Sequence, residues 1–365
     1  MTNHKSQTMC WLREEFTMSL ALLSVFFLFI LKHTQSLFIL IPINLFILYI
    51  MLMSSFGVVK HANALAKRQG SLYGSLILNL SIALLGVSLI SVLLITGSET
   101  PTLVRDTLYG LIVLVMTGFV GILLLLGGSK FKTQYVNFAG ITQYLTAIIP
   151  LTILVLVLPI MLENSTFSHR QLLIIAGLSA LIYVIFLITQ TITHPHLFVS
   201  YQAISHVEDS NDQASAYSNW WHGSCIIVYF IIIISVMTLN EPFITTLLVR
   251  FNAPLGTTGL IVASLVFAPT GLSAIRAVLK NELQQAMNMC FGSVLATISL
   301  AIPLVILIAL ATGQEVILGL SYSNIVILLG IFLLCQASFA SGRTNQLDGA
   351  AHLVIFIAYF IVLFQ

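Results

Sequence analysis

The chain has 365 residues, of which 7% are charged and 58% hydrophobic, and its formal net charge is +2. A water-soluble domain carries about 25% charged residues, so the polar surface needed by a soluble enzyme, a disordered chain or a basic nucleic-acid binder is missing. Four cysteines (Cys10, Cys225, Cys290 and Cys335) without CxxC spacing exclude a disulfide scaffold, and three lie in apolar runs, where an unreactive thiol is expected.

What remains is a polytopic membrane protein. A helix that crosses a bilayer needs about 20 predominantly apolar residues. Eleven runs qualify: 16–31, 37–59, 73–96, 108–127, 140–161, 171–192, 219–239, 257–278, 285–312, 323–340 and 347–364. None alternates with period two, which argues against a β-barrel, and helices are the other way to satisfy every backbone amide inside lipid. Glu14 and Glu15 precede the first run, where a cleaved signal would carry positive charge, so this run reads as a membrane helix.

Five runs then lead to residues 193–218, a segment without Lys or Arg that contains His194, His196, His206, Glu208, Asp209 and Asp212. Five more runs follow. The expected organisation is an N-terminal segment and first helix (1–36), a five-helix set (37–192), an acidic and His-containing cytosolic loop (193–218) and a second five-helix set (219–365). Leu76–Val87 can be laid on Leu260–Gly271 without gaps, each in the second helix of its set. An odd-numbered set followed directly by its copy re-enters the membrane inverted, a plan that puts a transport site near the midplane. The fold class is therefore an all-α polytopic membrane protein with about eleven transmembrane helices: two inverted five-helix repeats, spans 2–6 and 7–11, plus an additional N-terminal helix.

With the N-terminus in the cytosol, ten Lys and Arg fall on the cytosolic side (Lys5, Arg13, Lys60, Lys67, Arg68, Lys130, Lys132, Arg276, Lys280, Arg343) and four outside (Lys32, Arg105, Arg170, Arg250). The positive-inside trend then gives N-in and C-out.

Pro269-Thr270-Gly271 falls inside the eighth run and reads either as a helix break facing a cavity or as a packing kink. Pro150, Pro159 and Pro303 read as kinks, and Gly118, Gly121, Gly127 and Gly128 as positions of close helix approach. Polar side chains gather in four corresponding helices: Asn79, Ser81 and Ser88 in the third span, Thr117 in the fourth, Thr270 and Ser273 in the eighth, Ser293 and Thr297 in the ninth. Singly each is more often helix glue than ligand; together they outline a candidate substrate pathway.

The twelve Asp and Glu all lie in loops or at helix ends, so the intramembrane acids that usually mark ion and proton pathways are missing. Lys60, His61 and Arg276 sit near helix ends and are expected to snorkel. His352 is the deepest titratable group and reads as structural. His194, His196, Glu208, Asp209 and Asp212 carry donors for a divalent cation, but match no EF-hand or zinc spacing, and a solvated acidic loop is the blander reading.

Several stretches carry a resemblance. They are His61-Ala62-Asn63, Tyr73–Leu78, Pro101-Thr102-Leu103 with Arg105–Tyr109, Gly127-Gly128 with Lys130-Phe131, Thr133-Gln134-Tyr135, Asn252-Ala253-Pro254, Gly292–Leu300, Gly342–Asn345 and Gly349–Leu353. Over roughly residues 50–364 the chain resembles the ChaA-type bacterial calcium/sodium–proton antiporters of the calcium/cation antiporter superfamily. The resemblance implies inverted five-helix repeats, an additional first helix, an acidic cytosolic loop and one essential glutamate per repeat. In the first repeat that glutamate's setting is Gly86-Val87-Ser88-Leu89-Ile90 here, and in the second it is Pro269-Thr270-Gly271. Gly86 and Thr270 therefore stand where the family's carboxylates stand, and Asn63 where similar proteins have an Asp.

The reading is an integral-membrane secondary transporter of the cation/proton antiporter (sodium/calcium exchanger) family, with coupling altered at Gly86 and Thr270. Its partners are the lipid bilayer and a transported small ion or solute (Ca2+, Na+ or K+ with H+), with no nucleic acid and no cofactor. The alternative is a transport-inactive homologue serving as a regulatory or sensing membrane partner. No Ser/His, Asp/Asp or His-Glu-x-x-His set lies at membrane depth, so an intramembrane enzyme is not expected.

Overall fold

The computed structural model describes residues 18–24, 37–96, 102–162, 167–198, 218–254, 256–313 and 316–364. Residues 18–24 are helical. Nine larger helical elements follow: α1 Leu37–Thr96, α2 Leu103–Phe131, α3 Phe138–Met161, α4 His169–Thr193, α5 Asn219–Arg250, α6 Gly256–Leu279, α7 Leu283–Thr312, α8 Tyr322–Phe339 and α9 Gln346–Leu363. Among the described residues, nine helical stretches are long and apolar enough to cross a bilayer, the one in α1 being Ile41–Ala62. Large apolar side chains stand outward, such as Leu45, Ile174, Leu181, Ile231, Leu333 and Ile361. Such a surface needs lipid around it.

The second and third expected spans lie in one helical element, and residues 60–72, expected as a loop, are helical. Ala62, Ala64, Leu65, Ala66 and Gln69 favour helix, no proline interrupts them, and Gly70 by itself costs only about 1 kcal/mol relative to Ala. Of the two readings of Pro269, a helix break is not the one found. α6 runs through it, and the missing N–H only deprives the Leu265 carbonyl of its helical donor. Pro150 is followed by a π-helical turn (Ile153–Val157) and a 3-10 turn (Leu158–Met161) containing Pro159, in keeping with local bending.

Side-chain caps fix several helix starts. Asn137 caps α3, Ser168 and Gln171 form a capping box on α4, and Asn345 and Asp348 form one on α9. A short antiparallel pair, β1 Gln134–Tyr135 with β2 Arg343–Thr344, joins the end of α2 to the start of α9.

Apolar packing divides into two clusters. The larger is built from α2–α4 and α6–α9, with Val87 of α1. The smaller joins Met18 and Ala21, the 47–62 stretch of α1, α5 from Ile226 to Met237, and Val262, Leu265 and Val266 of α6. α6 is therefore the partition, since its Ala263, Phe267 and Ala274 face the other way, into the larger cluster.

α2 is the central helix of that cluster, and glycine lets its neighbours come close. A Cβ on Gly259 of α6 would fall 2.7 Å from the Asp106 carbonyl carbon, and one on Gly349 of α9 2.6 Å from Leu125 N. Backbone on backbone at that spacing leaves no room for any side chain.

Candidate functional site

α1, α6 and α7 meet at Gly86. A Cβ on this residue would lie 3.0 Å from Thr297 Cγ2, 3.4 Å from Thr297 Oγ1 and 3.1 Å from Val266 Cγ1. Val266 lies one turn before Thr270 on α6, and Ser293 one turn before Thr297 on α7. Thr270, Ser293 and Thr297 are buried, and their hydroxyl oxygens have no hydrogen-bond partner, nor does that of Ser299. A hydroxyl left unbonded in an apolar interior costs about 1–3 kcal/mol. Such groups call for a partner that the surrounding described side chains do not supply.

The other pathway candidates behave differently. Ser88 Oγ donates to Leu84 O at 2.7 Å, Ser273 Oγ to Pro269 O at 3.0 Å, and Thr117 Oγ1 to Val113 O. Their protons are used within their own helices, which leaves only lone pairs for anything else. Ser81 is buried. The side chains of Asn79 and Asn63 lie outside the described residues.

Thr117 lies in a π-helical turn, Leu114–Phe119, in the middle of α2. Here the Val120 N–H reaches Thr117 O and Val115 O and passes over Met116 O. The passed-over carbonyl accepts from His352 Nδ1–H at 2.8 Å, across from α9. A carbonyl only accepts, so Nδ1 of this fully buried ring carries a hydrogen. It gives the structural role read from the sequence a definite content: His352 closes the irregular turn. On the opposite face of that turn, Phe119 packs edge-on against Phe267 with centroids 4.7 Å apart and fills the space beside Gly271.

One end of the bundle is tied by polar side chains. Gln134 Nε2 donates to Val278 O and Asn281 Oδ1, the Asn137 N–H donates to Gln284 Oε1, and Lys130 Nζ donates to Leu279 O. Arg343 lies over the Tyr135 ring there. At α2's other end Arg105 pairs with Asp106 at 2.8 Å and donates to Gly319 O.

His194 is exposed, with Nδ1 3.0 Å from Thr193 Oγ1, and its ring is 5.9 Å from that of His196. Glu208, Asp209 and Asp212 lie outside the described residues. Among the described residues no group of three or more His, Cys, Asp or Glu is arranged to hold a metal ion. Cys225, Cys290 and Cys335 are buried and form no disulfide.

One expectation is corrected. His61 does not snorkel: it is 2% exposed, and its Nδ1 lies 2.9 Å from Nδ1 of His222 on α5. The sequence carries no sign of this pair, because 161 residues separate the partners. A histidine inside an apolar stretch on each of two helices was the available signal.

With this geometry in hand, the comparisons with known proteins agree. The profile of the family described as sodium/calcium exchanger protein matches residues 39–192 and 221–365. The sodium-potassium/proton antiporter ChaA of Escherichia coli is 47% identical over 357 residues, covering 96% of each chain. The putative ionic transporter y4hA of Sinorhizobium fredii is 29% identical over 317 residues, covering 84% of each. Among solved structures, native YfkE superposes with a TM-score of 0.71 at 17% identity, covering 88% of this chain and 92% of that one. The H+/Ca2+ exchanger CAX gives 0.67 at 13%, covering 96% and 88%. The two structural likenesses establish a common fold. The chain belongs to the sodium/calcium exchanger family. It is a multi-pass membrane transporter, as the motif resemblance implied.

Proposed function

We propose that this transporter exchanges an alkali cation, Na+ or K+, across a bacterial inner membrane, through a passage lined by Thr270, Ser293 and Thr297 beside Gly86. The observation that carries the reading is the set of buried, unbonded hydroxyls on α6 and α7. Neutral oxygens suit a singly charged ion. A dehydrated divalent cation in low dielectric needs carboxylates or dense carbonyl coordination to offset its desolvation. Coupling to protons is altered, because neither Gly86 nor Thr270 titrates. The 47%-identical relative named as a sodium-potassium/proton antiporter supports this ion class.

The inverted-repeat plan of two five-helix sets draws support from the two segments matched by the family profile, 39–192 and 221–365. The N-in orientation draws support from Lys130, bonded to Leu279 O, and Arg343, over the Tyr135 ring, two residues of the basic set counted on the cytosolic side. The loop at 193–218 is proposed as a solvated cytosolic segment, with His194, His196, Glu208, Asp209 and Asp212 as an accessory cation-binding set.

Flux in proteoliposomes tests the reading, with Na+, K+ and Ca2+ offered in turn, with and without a pH gradient. Na+ or K+ movement that falls in Thr297→Val supports it. Absence of flux for every ion, with the protein folded, overturns it and favours a transport-inactive homologue.

A further inference from the structure

Gln190, near the end of α4, donates from Nε2 to the Tyr144 hydroxyl, near the start of α3, at 3.2 Å, and the Tyr144 ring lies 4.9 Å from that of Phe186. The start of α3 therefore stands beside the end of α4. Along this pair the two helices leave a cavity of about 210 Å³. Its wall changes character along its length. Gln143, Thr146 and Thr189 line it toward the start of α3 and the end of α4, and Ile182, Ile185 and Phe186 line it toward the middle of the helices. The cavity opens outward: Thr146 and Ile185 are exposed, as are Leu181, Val184 and Ile188 on the same side of the bundle as Ile185. It is continuous with the apolar surface that lipid surrounds.

The polar end has hydrogen-bonding capacity to spare. Thr189 Oγ1 donates to Ile185 O at 2.9 Å, and Thr142 and Thr152 of α3 give their protons to Phe138 O and Ile148 O in the same way. Thr146 makes no such bond, and among the described residues neither its hydroxyl nor the Gln143 side-chain amide has a partner. The two stand three residues apart, on one face of α3. They lie about 8 and 12 Å from the start of the helix at 1.5 Å per residue. α3 has 24 residues, a length of about 36 Å against about 30 Å of hydrocarbon. Both side chains thus fall inside the hydrocarbon boundary, where water is scarce and a polar group needs a partner from elsewhere.

The occupant that fits accepts hydrogen bonds at the boundary and is apolar toward the midplane. The bilayer supplies one: a diacyl phospholipid, whose ester carbonyls accept and do not donate, and whose chains run inward from them. The cavity is smaller than the roughly 300 Å³ at which small-molecule sites begin, so it takes part of one chain rather than a whole solute. We propose that the α3–α4 groove is a phospholipid site, in which Gln143 Nε2 and Thr146 Oγ1 donate to the ester carbonyls while Ile182, Ile185 and Phe186 flank the adjoining acyl chain. The site stands apart from the hydroxyl-lined passage and does not depend on which ion is carried. It sets the lipid against the π-helical turn Thr189–Thr193 that ends α4, directly before residues 193–218.

The test weighs the protein with its lipid. Full-length protein is reconstituted with equal amounts of diester phosphatidylethanolamine and its diether counterpart, which has the same head group and chains but no ester carbonyl. It is then extracted in mild detergent and examined by native mass spectrometry. One retained phospholipid per chain is expected, with the diester favoured at least about threefold, the lower end of what one hydrogen bond contributes. Gln143→Leu combined with Thr146→Val keeps the shape of the groove and should abolish the preference. Ala147→Trp, which fills the groove, should remove the bound lipid. Equal retention of the two lipids by the wild-type protein overturns the proposal, as does a preference that survives in the double variant. A chain that carries only detergent, or a dimer without phospholipid, also overturns it. Should Ala147→Trp fold poorly, the double variant decides, because Thr146 is exposed and Gln143 half-buried, outside the packed core.

Discussion

The centre of the bundle and the α1–α5 seam treat buried polar groups in opposite ways. At the centre, Thr270, Ser293 and Thr297 are buried with their hydroxyls unbonded. At the seam, His61 and His222 are buried to the same degree and bonded to each other. The three hydroxyls at the centre do not change charge with pH. The seam instead sets two imidazoles against each other.

The comparison breaks most directly if the centre is made acidic. Gly86→Glu with Thr270→Glu is expected to raise pH-gradient-driven cation flux in proteoliposomes at least about tenfold, some 1.4 kcal/mol in barrier. The new Cβ at position 86 must displace Thr297 Cγ2 by a few tenths of an ångström. An inert, folded double variant would mean that the rest of the passage has also diverged.

Next in size is His352→Ala. It leaves the Met116 carbonyl buried and unbonded at the π-helical turn, and an unfolding measurement in detergent should record a loss of about 1–3 kcal/mol. A smaller loss would mean that the turn finds another donor.

Thr297→Val sharpens the contrast within the centre. Removing an unbonded hydroxyl at nearly constant shape should leave stability unchanged or raise it by about 1 kcal/mol, while flux falls. Loss of stability together with flux would make the hydroxyl structural. The smallest effect belongs to Ser264→Ala, whose Oγ is bonded to Leu260 O in its own helix at 2.8 Å. A change of about 0.6 kcal/mol or less is expected from thermal unfolding.

Much of the architecture was legible in the sequence because each crossing must be apolar over its whole length. The expected ninth span, 285–312, is α7 Leu283–Thr312, and the expected sixth, 171–192, is α4 His169–Thr193. The loop expected at 60–72 failed for a related reason. Basic residues and one glycine mark a departure from lipid, yet they do not stop a helix whose neighbours are Ala, Leu and Gln. At Pro269 the sequence left a break and a kink open, and the structure decides against the break, since a proline removes one hydrogen bond without ending α6.

The candidate site was half legible. The local frames around Gly86 and Thr270 identified both positions, but intrahelical bonding, which separates Ser88 and Ser273 from Thr270 and Thr297, depends on rotamers that the sequence does not encode separately from packing. Nor did the sequence hint that Met116 would offer a carbonyl to His352, because the π-helical turn that exposes it arises where α2 is pressed between α6 and α9.

By itself the sequence determined the solvent, the helices, the family frame and the absence of acids from the membrane interior, because these follow from composition and local pattern. Only the tertiary structure decided which hydroxyls stay unbonded and which two histidines meet. Those outcomes depend on residues brought together from distant helices, where a fraction of an ångström separates a satisfied polar group from one that waits for a ligand.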